Sequence, residues 1–238
     1  MKLLLGSGGF RTEERKQVLG REMRAHFGDV SRILFVPFAL ADHEAYVAGL
    51  YERGLDFGYE LDGIHKHRDP VQAVNEAEAI YVGGGNSFRL AYDLQRLGLI
   101  CPIRERVRSG LPYLGVSAGT NAACPTIMTT NDMPIVMPSS FEALGLVPFQ
   151  INPHYYSGSL FLPGADGYDE HFGETRDERI QQFHEVNETP VIGLWEGDML
   201  RVEDARVTLL GERARIFRRG EAARDLPAGE IDPALLGY

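Results

Sequence analysis

Two cysteines, Cys101 and Cys124, are all that this chain of 238 residues carries, and no C-x-x-C spacing relates them. That scarcity speaks against a disulfide-stapled scaffold and fits a reducing, cytoplasmic compartment. Long apolar runs are missing too. None approaches the roughly 18 residues of a membrane-spanning helix. The three leucines after Lys2 are too few for the apolar region of a secretion signal. Basic charge is in deficit, with 24 Lys and Arg against 34 Asp and Glu and a net charge of −10. A nucleic-acid or anionic-membrane partner is therefore not expected, although a pocket can be locally basic inside an acidic protein. Internal repeats, low-complexity tracts and Pro/Ser-rich linkers are absent, and a single α/β domain over residues 1–238 is expected.

Apolar residues make up 44% of the chain, enough to fill a sizeable core, and they alternate between two patterns. "KLLLG" reads as a buried strand. "TEERKQVLGREMRAHFG" comes next, with Leu19, Met23 and Phe27 on one helical face, Thr12 as N-cap and Gly28 past the end. Residues 32–39 read as a second strand, "HEAYVAGLYERG" as a helix, and 59–64 as a short strand. "DPVQAVNEAE" opens with Asp69 as N-cap and Pro70 at the first helical position. Residues 79–82 form another buried strand, followed by three glycines and a helix closed by Gly98. Residues 111–116 are the next strand. Strands that are apolar on both faces and alternate with helices predict a mostly parallel, doubly wound sheet flanked by helices. From about residue 185 the runs become strand-like and are separated by short turns, which predicts a C-terminal antiparallel addition.

Ligands of such sheets sit beyond the carboxyl ends of the strands, where two glycine-rich turns fall. Gly115-Val116-Ser117-Ala118-Gly119 fits a G-x-S-x-G elbow, in which glycines two residues either side of the serine remove side chains that would clash. Ser117 could equally be a serine capping the next helix. Gly83–Gly85 could supply bare backbone N–H groups to a developing oxyanion, with the N–H of Ala118 as a second donor, or could be a plain tight turn. A nucleophilic serine needs a base, and the base needs an orienting acid. His154, in "QINPHYY", sits in a proline-containing loop. Asp132 lies in a turn before Pro134, and Glu196 lies at a strand end in "GLWEGDM". His65 and His67 have H-x-H spacing, but no further ligands cluster with them and no metal is expected. His26 and His184 fall on polar helical segments and are expected in solvent.

Five blocks in order, "YVGGGNSF", "GVSAGTNAACPTIMTTNDMPIV", "QINPH", "GETRDERI" and "GLWEG", make the chain resemble the peptidase E family, the aspartyl dipeptidases. They span most of residues 30–200. The resemblance implies a flavodoxin-like fold similar to class I glutamine amidotransferase domains. It also implies a serine peptidase, needing no cofactor, that releases N-terminal aspartate from dipeptides through an acyl-enzyme. By that resemblance Ser117 is the nucleophile and His154 the general base. Asp132 is the essential acid, placed first as the partner of His154, and Glu196 is a second carboxylate proposed for that role. Gly84, Gly85 and Ala118 form the oxyanion hole, Arg176 recognises the aspartate side chain, and Asn86 joins the substrate contacts. Small peptides are the expected partners, and the sequence is compatible with a homodimer without fixing one. One stretch departs from the family. "YYSGSLFLPGADGYDEHF" between His154 and "GETR" is longer than its counterpart, and could be a lid, a pocket wall or a dimer contact. An alternative therefore keeps the triad and changes the substrate, to other N-terminal residues or to the aspartate-linked polymers of the similar cyanophycinases.

Overall fold

A computed structural model describes residues 1–164 and 167–238. The first half runs β1 (Lys2–Gly6), α1 (Glu13–Phe27), β2 (Arg32–Val36), α2 (His43–Glu52), β3 (Glu60–Gly63), α3 (Pro70–Glu76) and β4 (Ile80–Val82). Then come α4 (Ser87–Arg96), α5 (Ile100–Arg108), β5 (Tyr113–Val116) and α6 (Ala118–Ala123). The second half holds β6 (Gln150–Tyr155), β7 (Phe161–Gly164), β8 (Gly167–Glu170), α7 (Arg176–Val186), β9 (Val191–Trp195), β10 (Met199–Glu203), β11 (Arg206–Phe217) and β12 (Arg224–Ile231).

Strand residues alternate between the two faces of the main sheet, as the two-residue period of a strand requires. Leu3, Leu5, Leu34, Val36, Ile80 and Val82 pack beneath Leu90 and Leu94 of α4 and Ile103 and Val107 of α5. Leu4, Ile33, Phe35 and Tyr81 face the other way, against Leu19, Met23 and Phe27 of α1 and Val47 and Leu50 of α2. The helix starts obey their caps. The Thr12 hydroxyl accepts from Arg15 N–H and the Asp69 carboxylate from Gln72 N–H. Thr175 and Glu178 form a reciprocal capping box at α7.

The sheet order is β3-β2-β4-β5-β1-β10-β11-β9-β6, with β12 paired to β11. From β3 to β1 every pairing is parallel; from β1 through β10 and β11 to β9 every pairing is antiparallel, and β6 joins β9 in parallel. The expected mostly parallel sheet with an antiparallel C-terminal addition is thus the observed one. The turning point is β11. Its register against β12 shifts between Leu209 and Arg213, around Gly211 at φ 145°. The first part of β11 pairs with β10 and the last part with β9. A strand bulged in this way bends, and β9 returns so that the Leu194 carbonyl meets Ser7 just beyond the end of β1.

Two expectations change, the loop at His154 and the solvent exposure of His26 and His184. His154 lies on β6 rather than in a loop. Pro153 is tolerated because β6 ends the sheet, where a missing N–H costs no ladder bond. The segment after His154 contains the exposed hairpin β7–β8; its residues 165 and 166 lie outside the described ones. His26 and His184 are buried rather than solvated. His26 shares the inward face of α1 with Met23 and Phe27, and its Nε2 meets the Tyr113 carbonyl at 3.1 Å.

Burial pulls the His26 imidazole down to about 4 from 6.5. The unfolded chain therefore takes up a proton at a pH where the folded chain still resists it. Stability from this group is complete above pH 6.5 and is lost as pH falls towards 4. Between pH 7 and pH 5 the loss amounts to about 2 kcal/mol. Denaturant unfolding of His26→Gln should show a pH 7-to-5 drop smaller than wild type by about that amount; equal drops would refute it.

Candidate active site

Ser117 joins β5 to α6 with φ 54° and ψ −108°, a conformation that L side chains rarely adopt. Its neighbours explain how the chain accepts it. A Cβ on Gly115 would stand 2.5 Å from the Gly119 carbonyl oxygen, and one on Gly119 would collide with the Val82 carbonyl. Only glycine fits at either position. The Ser117 side chain makes no capping bond to α6. Its Oγ instead lies 2.8 Å from His154 Nε2. The cap reading of Ser117 is set aside by this geometry.

His154 is itself at φ 55°, within the register shift between Pro153 and Tyr155 where β6 meets β9. Its backbone N–H donates to Ser7 Oγ at 2.8 Å, and Ser7 Oγ donates to the Leu194 carbonyl at 2.9 Å. Ser7 has no exposed surface. One hydroxyl thus pins the bulge that turns the imidazole towards Ser117. Deeper down, Asn121 Nδ2 and Thr129 Oγ1 both donate to the Ile151 carbonyl, at 2.9 and 2.8 Å, holding β6 against α6.

His154 Nδ1 meets Glu196 Oε1 at 2.6 Å. The hydrogen bond from His154 holds the Glu196 carboxyl below its usual range, against burial, which raises it. Glu196 comes directly after β9, so the corner in β11 is what delivers it. Asp132, placed first as the partner of His154, does not meet the imidazole. Its Oδ2 accepts from Ser87 N–H at 2.8 Å and from Thr130 Oγ1 at 2.9 Å. The reason is positional: "TTND" closes over the start of α4, whereas "LWEG" ends beside β1.

A third glycine turn was not anticipated from the sequence. Ser7-Gly8-Gly9 wraps the histidine–glutamate pair. A Cβ on Gly8 would lie 2.6 Å from His154 Cε1, and one on Gly9 would strike Glu196 Oε2. The signal was present as "GSGG" directly after the first apolar strand, the same strand-end pattern as the other two turns.

On the other side of Ser117, the Gly83 N–H is spent on the Val36 carbonyl at 3.1 Å. Among the described residues, the N–H groups of Gly84, Gly85 and Ala118 meet no protein acceptor. Gly84 packs so closely that a Cβ would stand 3.2 Å from Ser117 Cβ. Tyr46 Oη donates to the Gly84 carbonyl at 2.8 Å. A trans peptide then turns the Gly85 N–H the opposite way. Asn86, expected among the substrate contacts, has both ends of its amide engaged: Oδ1 accepts from Arg89 N–H at 3.0 Å and Nδ2 donates to the Met133 carbonyl at 2.9 Å. It caps α4 and ties down the segment bearing Asp132.

Arg176 begins α7 with its guanidinium 5.2 Å above the Tyr156 ring. Among the described residues its buried Nε has no hydrogen-bond partner, and burial lowers the guanidinium's affinity for its proton. The next residue, Asp177, is taken by Tyr155 Oη and by Arg215 Nη1, the latter at 3.2 Å. The residues directly after His154 and Arg176 are therefore bonded to each other. His65 and His67 point to different carboxylates, Glu44 at 3.1 Å and Asp62 at 2.9 Å.

The model of peptidase family S51 matches residues 2–210. The chain belongs to peptidase family S51. A "Peptidase E" of Streptomyces coelicolor is 54% identical over 200 residues, 84% of this chain and 79% of that one. A "Probable alpha-aspartyl dipeptidase" of Drosophila melanogaster is 47% identical over 200 residues, 83% of this chain and 80% of the relative. The crystal structure of a peptidase from an acI-B1 Actinobacterium superposes with a TM-score of 0.65 at 19% identity, covering 97% and 96% of the two chains, a likeness of fold.

The Ser7 hydroxyl acts on orientation, so its loss should appear in turnover and not in binding. Ser7→Ala should lower kcat roughly 10- to 100-fold with KM within about twofold, as expected for the His154 imidazole displaced from Ser117 by a fraction of an ångström to an ångström. An unchanged kcat in a folded variant would refute this role.

Proposed function

We propose that the protein is a serine dipeptidase that releases N-terminal aspartate from Asp-Xaa peptides. The observation that carries the chemistry is the continuous chain Ser117 Oγ, His154 Nε2, His154 Nδ1 and Glu196 Oε1, with links of 2.8 and 2.6 Å. It has the geometry of the nucleophile–base–acid arrangement of acyl transfer. The relatives named as peptidase E and aspartyl dipeptidase support the substrate class.

Ser117 Oγ attacks the aspartyl carbonyl carbon as His154 Nε2 takes the hydroxyl proton. Glu196 accepts the Nδ1–H, holds the tautomer and stabilises the imidazolium. The carbonyl oxygen becomes negative and is received by the N–H groups of Ala118 and of the Gly84–Gly85 turn, which meet no acceptor among the described residues. His154 then returns its proton to the departing amine, whose carbon–nitrogen bond breaks to leave an aspartyl ester on Ser117. Water, deprotonated by the same imidazole, hydrolyses that ester.

Selection of aspartate falls to Arg176. A half-buried guanidinium with an unpartnered Nε, and with no ion pair among the described residues, gains most from a bidentate carboxylate. Asp132, which lines the same cavity as Ser117 and His154, supplies the negative charge to meet the substrate's α-ammonium group.

Two measurements test this reading. Ser117 should react with a fluorophosphonate probe, and Ser117→Ala should lose both labelling and Asp-Leu cleavage; retained turnover would end the assignment. On a panel of Asp-Xaa and neutral Xaa-Xaa peptides, Arg176→Ala should lose about 100-fold or more in kcat/KM on the aspartyl members. An unchanged preference for aspartate would remove Arg176 as the selector.

A further inference from the structure

The cavity that opens on Ser117 and His154 encloses about 430 Å³, and Arg176 is not among its walls. The cavity extends between α1 and α2. Phe10, Leu19, Leu50, Leu55 and Tyr81 form an apolar lining, each largely buried from bulk solvent. Two cations, Arg11 and Arg53, complete the wall. Arg53 commits only its Nε, to the Gly49 carbonyl at 2.6 Å. Among the described residues, its two Nη groups and the whole Arg11 guanidinium have no acceptor and no ion pair. Asp132, at the end beside Ser117, is the one carboxylate among the described residues that lines the cavity.

The direction of the cavity gives it a place in the reaction. With the aspartyl side chain at Arg176, the acyl half of the substrate lies on the Asp132 side of Ser117. The leaving amine must lie near His154, which protonates it. The rest of the leaving residue, beyond that amine, enters the space between α1 and α2. Arg11 lies close to the histidine–glutamate pair, two residues after Gly9, where a Cβ would strike Glu196 Oε2. A free dipeptide carries one further group that this chain must accommodate, the α-carboxylate of the leaving residue. That group is an anion adjacent to a side chain, and the cavity offers two unpaired guanidinium groups beside an apolar wall. In a chain with a net charge of −10, two arginines lining one apolar cavity without carboxylate partners among the described residues are placed for an anion that comes from outside.

We propose that this cavity seats the leaving residue, with Arg11 and Arg53 holding its free α-carboxylate and the apolar wall receiving its side chain. The site would then select dipeptides at their C-terminal end as well as at their N-terminal end. A longer peptide or a C-terminal amide would bring no charge to the two arginines. The inference rests on the aspartyl-dipeptidase reading.

The test compares Asp-Leu with its C-terminal amide on wild type, Arg11→Met and Arg53→Met. Wild type should favour the free acid by about tenfold or more in kcat/KM, mainly through KM, and each substitution should lower that ratio about tenfold, the weight of a charge-assisted hydrogen bond. A ratio that does not move in either variant overturns the proposal. A second readout does not depend on the N-terminal aspartate. Free leucine should slow fluorophosphonate labelling of Ser117 in wild type more than leucinamide does, and the difference should vanish in both variants. Equal protection by leucine and leucinamide in wild type overturns the subsite even if Asp-Leu is a substrate. Discriminating protection without Asp-Leu turnover upholds the subsite and strikes the aspartyl reading instead.

Discussion

The Ser7 hydroxyl is the point on which the site turns. It donates to the Leu194 carbonyl and accepts from the His154 N–H, and so it joins three strands, β1, β9 and β6, with one oxygen atom. The bond to His154 is made to a residue whose backbone sits at φ 55°, a region costing a non-glycine residue of order 1 kcal/mol or more. That conformation persists because the surroundings over-determine it. Ser7 holds the amide, Gly8 closes on the imidazole, and Glu196 takes Nδ1. The Ser117–His154–Glu196 line depends on this local strain being held in place from outside the strand.

The two halves of the sheet divide the chemistry. The parallel half supplies the strained elbow at Ser117 and the glycine turn at Gly84–Gly85, both at carboxyl ends of strands, where a doubly wound sheet opens. The other half supplies His154 and Glu196. It reaches the same place only because β11 bends at Gly211 and sends β9 and β6 back over the end of β1. Two strained non-glycine residues, Ser117 at φ 54° and His154 at φ 55°, face each other across the junction. Pre-organisation is thus distributed: neither half carries a complete site, and packing between them sets the 2.8 Å contact.

The readings from sequence succeeded where the deciding forces are local. Continuous apolar runs marked β1, β2, β4 and β5 because each is buried on both faces by neighbouring helices. Thr12 and Asp69 marked helix starts because a cap satisfies N–H groups only two or three residues on. The glycines around Ser117 marked the elbow because their constraint spans four residues. The readings weakened where a partner is remote. His26 and His184 are polar on a helical wheel, and only the sheet above them makes them interior. Pro153 argued for a loop until β6 proved to be the last strand in its sheet. "GSGG" after β1 carried the same signature as the other two turns, yet nothing near it in the chain hinted that its glycines make room for His154 and Glu196.

By itself, then, the sequence determined the strand and helix alternation, the elbow, the triple-glycine turn and the short inventory of histidines and carboxylates from which a catalytic group could be drawn. Only the tertiary structure decided which carboxylate meets the imidazole, giving Glu196 to His154 and leaving Asp132 at the start of α4. It also decided that the Asn86 amide is spent on capping, and that Arg11 and Arg53 line the cavity opening on Ser117 while Arg176 is not among its walls. The reason is physical. Caps and turns are settled within a few bonds of the residue that makes them, whereas a hydrogen bond between residues 42 positions apart, such as that from His154 to Glu196, exists only once β11 has turned its corner.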